Sequence, residues 1–411
     1  MPLWVVKPSL TEICSSPSST MKKKGVDGDA PSLPEDIIRN ILKRLPVKSL
    51  MRFQCVCKHW RNLFKSPSFI VDHLHHSTLQ NPYLLSQLHG WDAPSNLYLL
   101  DSDMQVREFQ HPPLLDYVKR GKIVDSSNGL LSVEINKYYV SPHFFLVWNP
   151  AIREIRLLPE ANFREDYCFY FIGFGFSPVI NDYKIVVTYV FEDYIELSAV
   201  KVYSLNSGIW KDVKVTLDGS VRLSSQGVTV NGVMFWFVSN LVGLDTYDDD
   251  EKRIASFDLA TEVFTVIPVP EQRSTSWLTV YEEKLAMVSH SVIGNTEHCV
   301  IDLWVMEEGI GASGERWSWT KKYTSSPYPR LLYPVTIWRN EIVCKVSRPR
   351  GNTEDGVEVV ENDEPTTVLF NLTTKKCKVF AISKFDYHHL VIDYAESLVP
   401  VGGMKSLANF L

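Results

Sequence analysis

Paired histidines and short acidic runs are the residues of this chain whose types could support metal or acid–base chemistry. The histidine pairs are His75-His76 and His388-His389, and imidazole is the commonest protein ligand for metals. Neighbouring residues on a strand point to opposite faces, so neither pair is expected to place two rings on one ion. The densest acidic run, Asp248 to Glu251, lacks the alternate spacing and the glycine of a calcium loop. The run is therefore interpreted as a solvated hairpin tip, with pairing to a basic substrate as the alternative.

Sequence motifs for nucleotide binding and for hydrolysis are missing from the chain. It contains no G-x-S-x-G, no P-loop and no H-E-x-x-H. Gly173-Phe174-Gly175 lacks the third glycine of a dinucleotide loop and carries a bulky side chain where a phosphate would approach. The sequence therefore predicts a protein that is not an enzyme, with no catalytic residue, no metal and no cofactor.

Composition narrows the class of protein further. The net charge of −6 gives no electrostatic support for binding nucleic acid. The seven cysteines include no C-x-x-C pair, which disfavours a zinc site and favours a reducing compartment, the cytoplasm or the nucleus. No apolar run reaches 18 residues, so no membrane span is expected.

A helical pattern begins at residue 33. Ser32 followed by Glu35 forms a capping box, and Pro34 falls in the first turn, where its missing N–H is tolerated. Apolar residues then recur at helical spacing, at Ile37, Ile38, Ile41, Leu42 and Leu45.

Two more short helices are predicted after Pro46, which ends the first one. The Ser66-Pro67 pair is expected to end the third helix. Roughly 40 residues are too few to bury every apolar face of such helices, so part of the first stripe is expected to need a partner. The alternative is a plain helical subdomain packed on the rest of the chain.

Residues 33–70 also carry motifs at fixed offsets. They are Leu33-Pro34-Glu35-Asp36, Ile41-Leu42, Leu45-Pro46-Val47-Lys48-Ser49-Leu50, Arg52-Phe53, Cys55-Val56-Cys57-Lys58, Trp60 and Phe69. This set resembles the F-box, a three-helix module that docks a protein onto the Skp-type adaptor of a cullin-based ubiquitin ligase. The resemblance implies an adaptor-binding face formed by Leu33, Pro34, Ile37, Ile41, Leu45, Pro46 and Leu50. It also implies a core formed by Phe53, Trp60 and Leu63.

From about residue 83 the pattern changes to short alternating runs separated by Gly, Pro, Asn and Asp, which is typical of many short strands. A loose repeat places an aromatic strand residue before a polar turn and a second strand. Its leading aromatics, spaced by 55, 54, 47 and 66 residues, are Trp148, Tyr203, Phe257, Trp304 and Phe370. Kelch-type propeller blades have a period of roughly 50 residues, so the repeat predicts a large all-β domain with about six blades. An irregular β-sandwich is the alternative.

A second set of phrases follows in order along this β region. They are Ser126-Ser127-Asn128-Gly129-Leu130-Leu131, Trp148-Asn149-Pro150, Gly173-Phe174-Gly175-Phe176, Asn181-Asp182-Tyr183-Lys184, Val202-Tyr203-Ser204-Leu205, Ile301-Asp302-Leu303-Trp304-Val305-Met306 and Glu396-Ser397-Leu398-Val399. They resemble the plant F-box-associated domain, although no glycine doublet recurs once per blade as in a kelch repeat.

The two resemblances together imply the substrate-recognition subunit of an SCF-type ubiquitin ligase, which binds an adaptor, through it a cullin, and a protein target. Which residues bind the target is left open. One alternative is a pollen self-incompatibility receptor for a stylar ribonuclease. Another is a scaffold or lectin-like module that acts outside a ligase.

The expected domain boundaries follow from these patterns. Residues 1–30 are predicted to be a disordered leader, 31–75 the F-box, 76–97 a linker, 98–400 the β domain and 401–411 a tail. A propeller has no free edge only if its ends meet. The alternating segment from His389 to Tyr394 is therefore predicted to pair near Tyr98–Leu100 or Ile123-Val124.

Overall fold

The N-terminal part of the protein folds as four short helices. The computed structural model describes residues 33–80, 82–88, 96–109, 121–135, 144–161, 167–191, 197–215, 217, 221–240, 253–269, 275–294, 298–308, 317–346, 366–381 and 389–402. The helices are α1 (Glu35–Leu42), α2 (Val47–Phe53), α3 (Lys58–Leu63) and α4 (Pro67–Gln80). Pro34 and Pro46 directly precede α1 and α2, where the fixed φ of proline suits a helix start.

Helix α4 is one helix more than the three that the sequence predicts. The Ser66-Pro67 pair follows α3 and also starts α4. Ser66 Oγ accepts a hydrogen bond from the Phe69 N–H at 3.4 Å, and Pro67 is the first helical residue. A serine cap followed by proline is a recognised helix start. The sequence therefore contained the signal for α4, but the pair was interpreted only as the end of the third helix.

The rest of the described chain forms six four-stranded antiparallel sheets, which are the blades of a propeller. Blade one consists of β24 (His389–Tyr394), β1 (Tyr83–Leu88), β2 (Leu97–Leu100) and β3 (Val106–Phe109). Blade two consists of β4 (Gly121–Ser127), β5 (Leu130–Ile135), β6 (Phe144–Asn149) and β7 (Glu154–Leu157). Blade three consists of β8 (Tyr167–Ser177), β9 (Asp182–Phe191), β10 (Leu197–Ser204) and β11 (Trp210–Val213).

The remaining three blades have the same arrangement. Blade four consists of β12 (Val221–Val230), β13 (Val233–Asn240), β14 (Arg253–Asp258) and β15 (Phe264–Pro268). Blade five consists of β16 (Thr275–Tyr281), β17 (Lys284–Val292), β18 (Cys299–Glu308) and β19 (Trp317–Thr324). Blade six consists of β20 (Leu332–Trp338), β21 (Glu341–Val346), β22 (Thr366–Asn371) and β23 (Cys377–Ala381).

The inner strands of the blades contact one another in a closed circle. The contacts run from β24 to β4, β8, β12, β16 and β20 and return to β24. Apolar side chains from neighbouring blades fill the spaces between the sheets, for example around Trp236 and Phe257 between blades three and four. The predicted six-bladed propeller is confirmed, and the sandwich alternative is wrong.

The C-terminal strand closes the propeller, as predicted, but its partner differs from the prediction. Strand β24 pairs antiparallel with β1, with Tyr394 opposite Tyr83 and His389 opposite Leu88. Strand β1 lies in the segment 76–97, which the sequence suggested to be a linker. The buried Gln87 conceals the strand, because its polar side chain breaks the alternation. Its amide donates to the Gly121 carbonyl at 2.6 Å and accepts from the Ile123 N–H at 2.7 Å, so its burial is compensated.

The loose sequence repeat is the hairpin between the third and fourth strands of a blade. In four blades the third strand ends at a residue whose side-chain oxygen accepts backbone N–H groups two or three residues further on. These residues are Asn149, Ser204, Asp258 and Asn371. Each turn then has a residue with positive φ, namely Arg153, Gly208, Glu262 and Lys375. The repeat therefore reports local turn chemistry, which a single sequence can show.

The two faces of the propeller carry different connections. The F-box face carries the turns between first and second strands, such as Asn128-Gly129, and those between third and fourth strands, such as the turn after Asn149. The opposite face, which we call the far face, carries the other ends of the strands, where second and third strands are connected and where one blade leads into the next. The helices pack on the F-box face, where Ala151 and Ile152 contact their apolar core.

Candidate adaptor-binding face and its junction with the propeller

One side of α1 and the residue before it present apolar side chains to solvent. Leu33, Ile37 and Ile41 are 46%, 46% and 49% exposed, and their spacing of four places them on one side. The opposite side of α1 holds Leu42, which is buried. Pro34 is exposed beside this stripe. The described F-box therefore keeps an apolar stripe that its own fold does not cover.

The other residues expected on the adaptor-binding face lie differently. Pro46 is exposed and Leu45 is half-buried. Leu50 has an exposed fraction of 0% and lies in the helical core. Helix α2 has only seven residues, and Val47 and Leu50, three apart, both face that core. Leu50 therefore offers no surface to a partner in this conformation.

The residues expected to hold the helices together lie in one apolar cluster. Trp60 is buried, and Phe53 and Leu63 are partly buried against it, with the Phe53 and Trp60 ring centroids 5.6 Å apart. Sequence reasoning missed further members, which are Leu42, Val47, Phe64 and Phe69. On α4, His73 Nε2 lies 3.0 Å from the Leu45 carbonyl, and burial lowers the pKa of this ring.

A residue from the far end of the sequence completes this helical core. Leu398, four residues after β24, is buried in the same cluster as Leu50 and Trp60. Two residues earlier, Glu396 Oε2 accepts a hydrogen bond from the Val47 N–H at 3.1 Å. This carboxylate caps α2, whose own N-cap residue, Pro46, provides no side-chain cap. Burial raises the pKa of Glu396, against the opposing effects of the Val47 hydrogen bond and of Lys48.

Blade two holds the segment 395–401 in place. The Asn149 amide donates to the Ser397 carbonyl at 3.1 Å and to the Val399 carbonyl at 2.8 Å. Glu154 Oε2 accepts from the Val401 N–H at 3.2 Å. Gly129 has a φ of +77°, and a Cβ there would lie 2.3 Å from the Ser397 Cβ. Only glycine fits this position, because both the backbone angle and the space exclude a side chain.

Three of the phrases that resemble the F-box-associated domain therefore meet at one junction. The phrases containing Gly129, Asn149 and Leu398 lie far apart in the sequence, yet their residues contact one another beneath the F-box. We call this contact region, formed by Gly129, Asn149, Glu396, Ser397 and Leu398, the junction. The segment 395–401 thus connects the closing strand of the propeller with the F-box core.

The residues of a fourth phrase, Asn181 to Lys184, form hydrogen bonds and an ion pair between strands and between blades. Asp182 accepts from Ser204 Oγ at 2.5 Å and from the Asn206 N–H at 2.9 Å. Tyr183 Oη accepts from the Asn128 amide at 3.1 Å, and burial raises the pKa of Tyr183 to about 12. Lys184 Nζ forms a buried ion pair with Glu262 of blade four at 2.6 Å. These residues connect neighbouring strands and blades of the propeller.

The residues first considered for metal or acid–base chemistry do not form a cluster in the described chain. Across the described ranges, no group of three His, Cys, Asp or Glu side chains is placed to hold a metal ion. His75 is exposed and His76 is half-buried on α4, whereas His388 and the run 248–251 lie outside the described residues. In the described part of the chain, no helix has the length and apolar character needed to cross a membrane.

Comparison with known proteins agrees with this architecture. Residues 31–72 match the F-box domain, and residues 96–401 match the F-box associated beta propeller domain. F-box protein CPR1 of Arabidopsis thaliana is 28% identical over 383 residues, covering 85% of this chain and 84% of that protein. Protein SUPPRESSOR OF NIM1 1 of Arabidopsis thaliana is 27% identical and covers 75% of this chain and 84% of that protein.

A likeness to solved structures is also found, at lower similarity. The β-propeller domain of the trilobed protease from Pyrococcus furiosus has a TM-score of 0.37 and 12% identity, covering 64% of this chain and 71% of that one. The propeller-family match spans most of the chain and contains the junction and every strand of the six blades except β1. The chain therefore belongs to the family of F-box proteins that carry an F-box-associated β-propeller domain.

Proposed function

We propose that this protein is the substrate-recognition subunit of an SCF-type ubiquitin ligase. The F-box domain indicates binding to a Skp-type adaptor, and the family implies a recognition role for the propeller. We assign adaptor binding to the exposed stripe of Leu33, Ile37 and Ile41, with Pro34, Leu45 and Pro46 at its edge. The ligase role fits a location in the cytoplasm or the nucleus.

The exposed stripe is the observation that carries this proposal. The apolar core of the described F-box is covered, either by its own helices or by Leu398, Ala151 and Ile152 of the propeller. Among the described F-box helices, this stripe brings three large apolar side chains onto successive turns, and each keeps nearly half of its surface in water, whereas the exposed Val71 and Leu79 on α4 stand two turns apart. Contiguous exposed apolar surface of this kind marks a protein interface.

The protein would act by proximity and would perform no bond chemistry itself. A target held on the propeller would stand at a fixed distance from the adaptor and from the conjugating enzyme that the cullin assembly brings. Such tethering raises the effective concentration of the acceptor lysine. The junction supports this mechanism, because it packs the F-box directly on the propeller.

The test of this proposal is to substitute residues of the stripe and to measure the affinity of the protein for the adaptor. The double variant Leu33→Ala/Ile37→Ala should weaken binding to a purified Skp-type adaptor by roughly two orders of magnitude, since losing such anchors costs about 2–4 kcal/mol. Val71→Ala on α4 is the matched control, because Val71 is also apolar and exposed but lies off the stripe. Unchanged affinity in the double variant would refute the assignment. Co-capture of a cullin separates a ligase subunit from a scaffold.

A further inference from the structure

A groove lies between blades four and five at the F-box face of the propeller. Its volume is about 810 Å³, which lies within the roughly 300–1,000 Å³ of most ligand-binding sites. The groove is bordered by strand ends and turns of this face, among them Asn231 and Asp258 of blade four and Glu282 and Trp317 of blade five. The F-box packs on blade two, across the ring from blade five, and no residue of its described helices lines the groove.

The floor of the groove is apolar. Phe235, Leu285 and Met306 line it and are buried, and they belong to the apolar cluster that fills the space between blades four and five. Val263, which also lines the groove, is 49% exposed, and Trp317 is half-buried. A concave apolar surface with a partly exposed rim can accept an anchoring side chain of a partner protein.

The charged side chains that line the described groove are mainly acidic. They are four acidic residues and one basic residue, namely Asp258, Glu282, Glu283, Glu307 and Lys284. Lys284 and Lys322 both form ion pairs with Glu307, so these lysines are matched to one of the four carboxylates. Glu282 and Glu283 are exposed at the rim. An excess of negative charge beside an apolar groove attracts a basic partner and repels an acidic one.

The other side of blade four has a different balance of charge. Glu262, on the same turn as Val263, forms ion pairs with Lys184 and Lys211 of blade three. These two lysines therefore face a carboxylate on the blade-three side of the turn. The excess of carboxylates lies on the blade-five side, where the groove is.

We propose that this groove binds a segment of the target protein in which an apolar residue lies next to a lysine or an arginine. The apolar side chain enters the groove and contacts Phe235 and Met306, and the basic side chain pairs with Glu282 or Glu283. This inference rests on the proposed function and adds to it the place and the chemistry of target recognition. It places the target on the same face of the propeller as the F-box. An acidic or an uncharged segment is the competing occupant.

The probe is a library of random twelve-residue peptides displayed on phage and selected against the purified full chain. We expect enrichment of peptides in which lysine or arginine lies beside an apolar residue. Replacing the basic residue of the best peptide with glutamate should lower its affinity at least about tenfold, because attraction to the rim becomes repulsion.

A charge variant tests the acidic rim. Glu282→Gln/Glu283→Gln removes both charges, keeps the length of both side chains and should lower the affinity for the best peptide about tenfold. Asp103→Asn/Glu108→Gln is the matched control, because it removes two exposed carboxylates of blade one. Charges that far from the groove are screened, so the control should bind the peptide within about twofold of the wild type.

A second variant tests the apolar part of the groove. Val263→Ser removes exposed apolar surface without opening a core and should lower the affinity for the peptide about fivefold. Val179→Ser is the matched control, because Val179 is exposed on a turn of the same face in blade three.

Three results overturn the inference. They are enrichment of acidic or uncharged peptides in place of basic ones, no enrichment at all, and wild-type affinity in either Glu282→Gln/Glu283→Gln or Val263→Ser. A wild-type chain that binds the peptide as expected but binds no Skp-type adaptor would instead overturn the proposed function, since the groove contains no residue of the adaptor-binding stripe.

Discussion

The replacement of Leu398 by alanine tests whether the F-box of this protein depends on its propeller. Leu398 belongs to the C-terminal segment of the propeller but is buried among Leu50, Trp60 and Phe69 of the F-box. Truncating a buried leucine costs about 2–5 kcal/mol, because apolar contacts are lost and a cavity remains. The propeller core does not contain Leu398. We therefore expect the loss to fall on the F-box helices, which should open more often while the blades keep their stability.

Hydrogen exchange measured by mass spectrometry resolves this effect by segment. A loss of about 2–5 kcal/mol should speed exchange of the α2 amides by roughly 30- to 4000-fold, because each 1.4 kcal/mol is a factor of ten. Exchange in blades three to five should stay unchanged. Leu157→Ala is the matched control, since Leu157 is exposed on β7 and exposed truncations usually change stability by less than about 0.5 kcal/mol.

A second variant separates packing from capping at the same junction. Glu396→Gln keeps an acceptor for the Val47 N–H, whereas Glu396→Ala leaves the start of α2 uncapped and should cost about 0.5–2 kcal/mol more. If Leu398→Ala left both α2 exchange and adaptor affinity at wild-type values, the F-box would fold independently and our interpretation of the junction would be wrong.

Two further predictions concern the propeller. Glu282 and Glu283 form the turn between β16 and β17 with φ of 48° and 57°, angles that favour Asn-Gly, so Glu282→Asn/Glu283→Gly should raise the free energy of unfolding by about 1 kcal/mol in urea titrations. A decrease would show that the glutamates make contacts that outweigh their backbone strain. Burial raises the pKa of Asp125, which is half-buried, to about 7, and the charge of the exposed Asp393 adds to the effect. Above about pH 4 the unfolded chain has released the proton of this carboxyl group, whereas the folded protein keeps it up to about pH 7. The stabilisation that this bound proton gives is therefore full at low pH, and it is lost as the pH rises to about 7. Asp125→Asn should therefore raise the melting temperature relative to the wild type more at pH 8 than at pH 5, and an equal difference at both values would contradict the shifted pKa.

Local sequence determined the elements whose signals lie within a few residues of one another. The spacing of Leu33, Ile37 and Ile41 indicated a helix with a free apolar side, and this stripe is exposed. The turns that begin at Asp258 and Asn371 showed the blade repeat, because an Asx side chain bonds to its own next residues whatever surrounds it. Six blades followed from the period of these turns.

Only the tertiary structure decided which elements share a core. The polar side chain of Gln87 made β1 look like a linker in the sequence. The groups that satisfy its amide, in Gly121 and Ile123 of the next blade, lie more than 30 residues away, so nothing in the sequence showed that Gln87 could be buried. Leu50 looked like a surface residue of α2, but it is buried in a cluster that includes Leu398, which lies near the end of the chain. Burial depends on partners brought together by chain closure, and a single sequence records the periodicity of a side chain but not the identity of the residue that covers it.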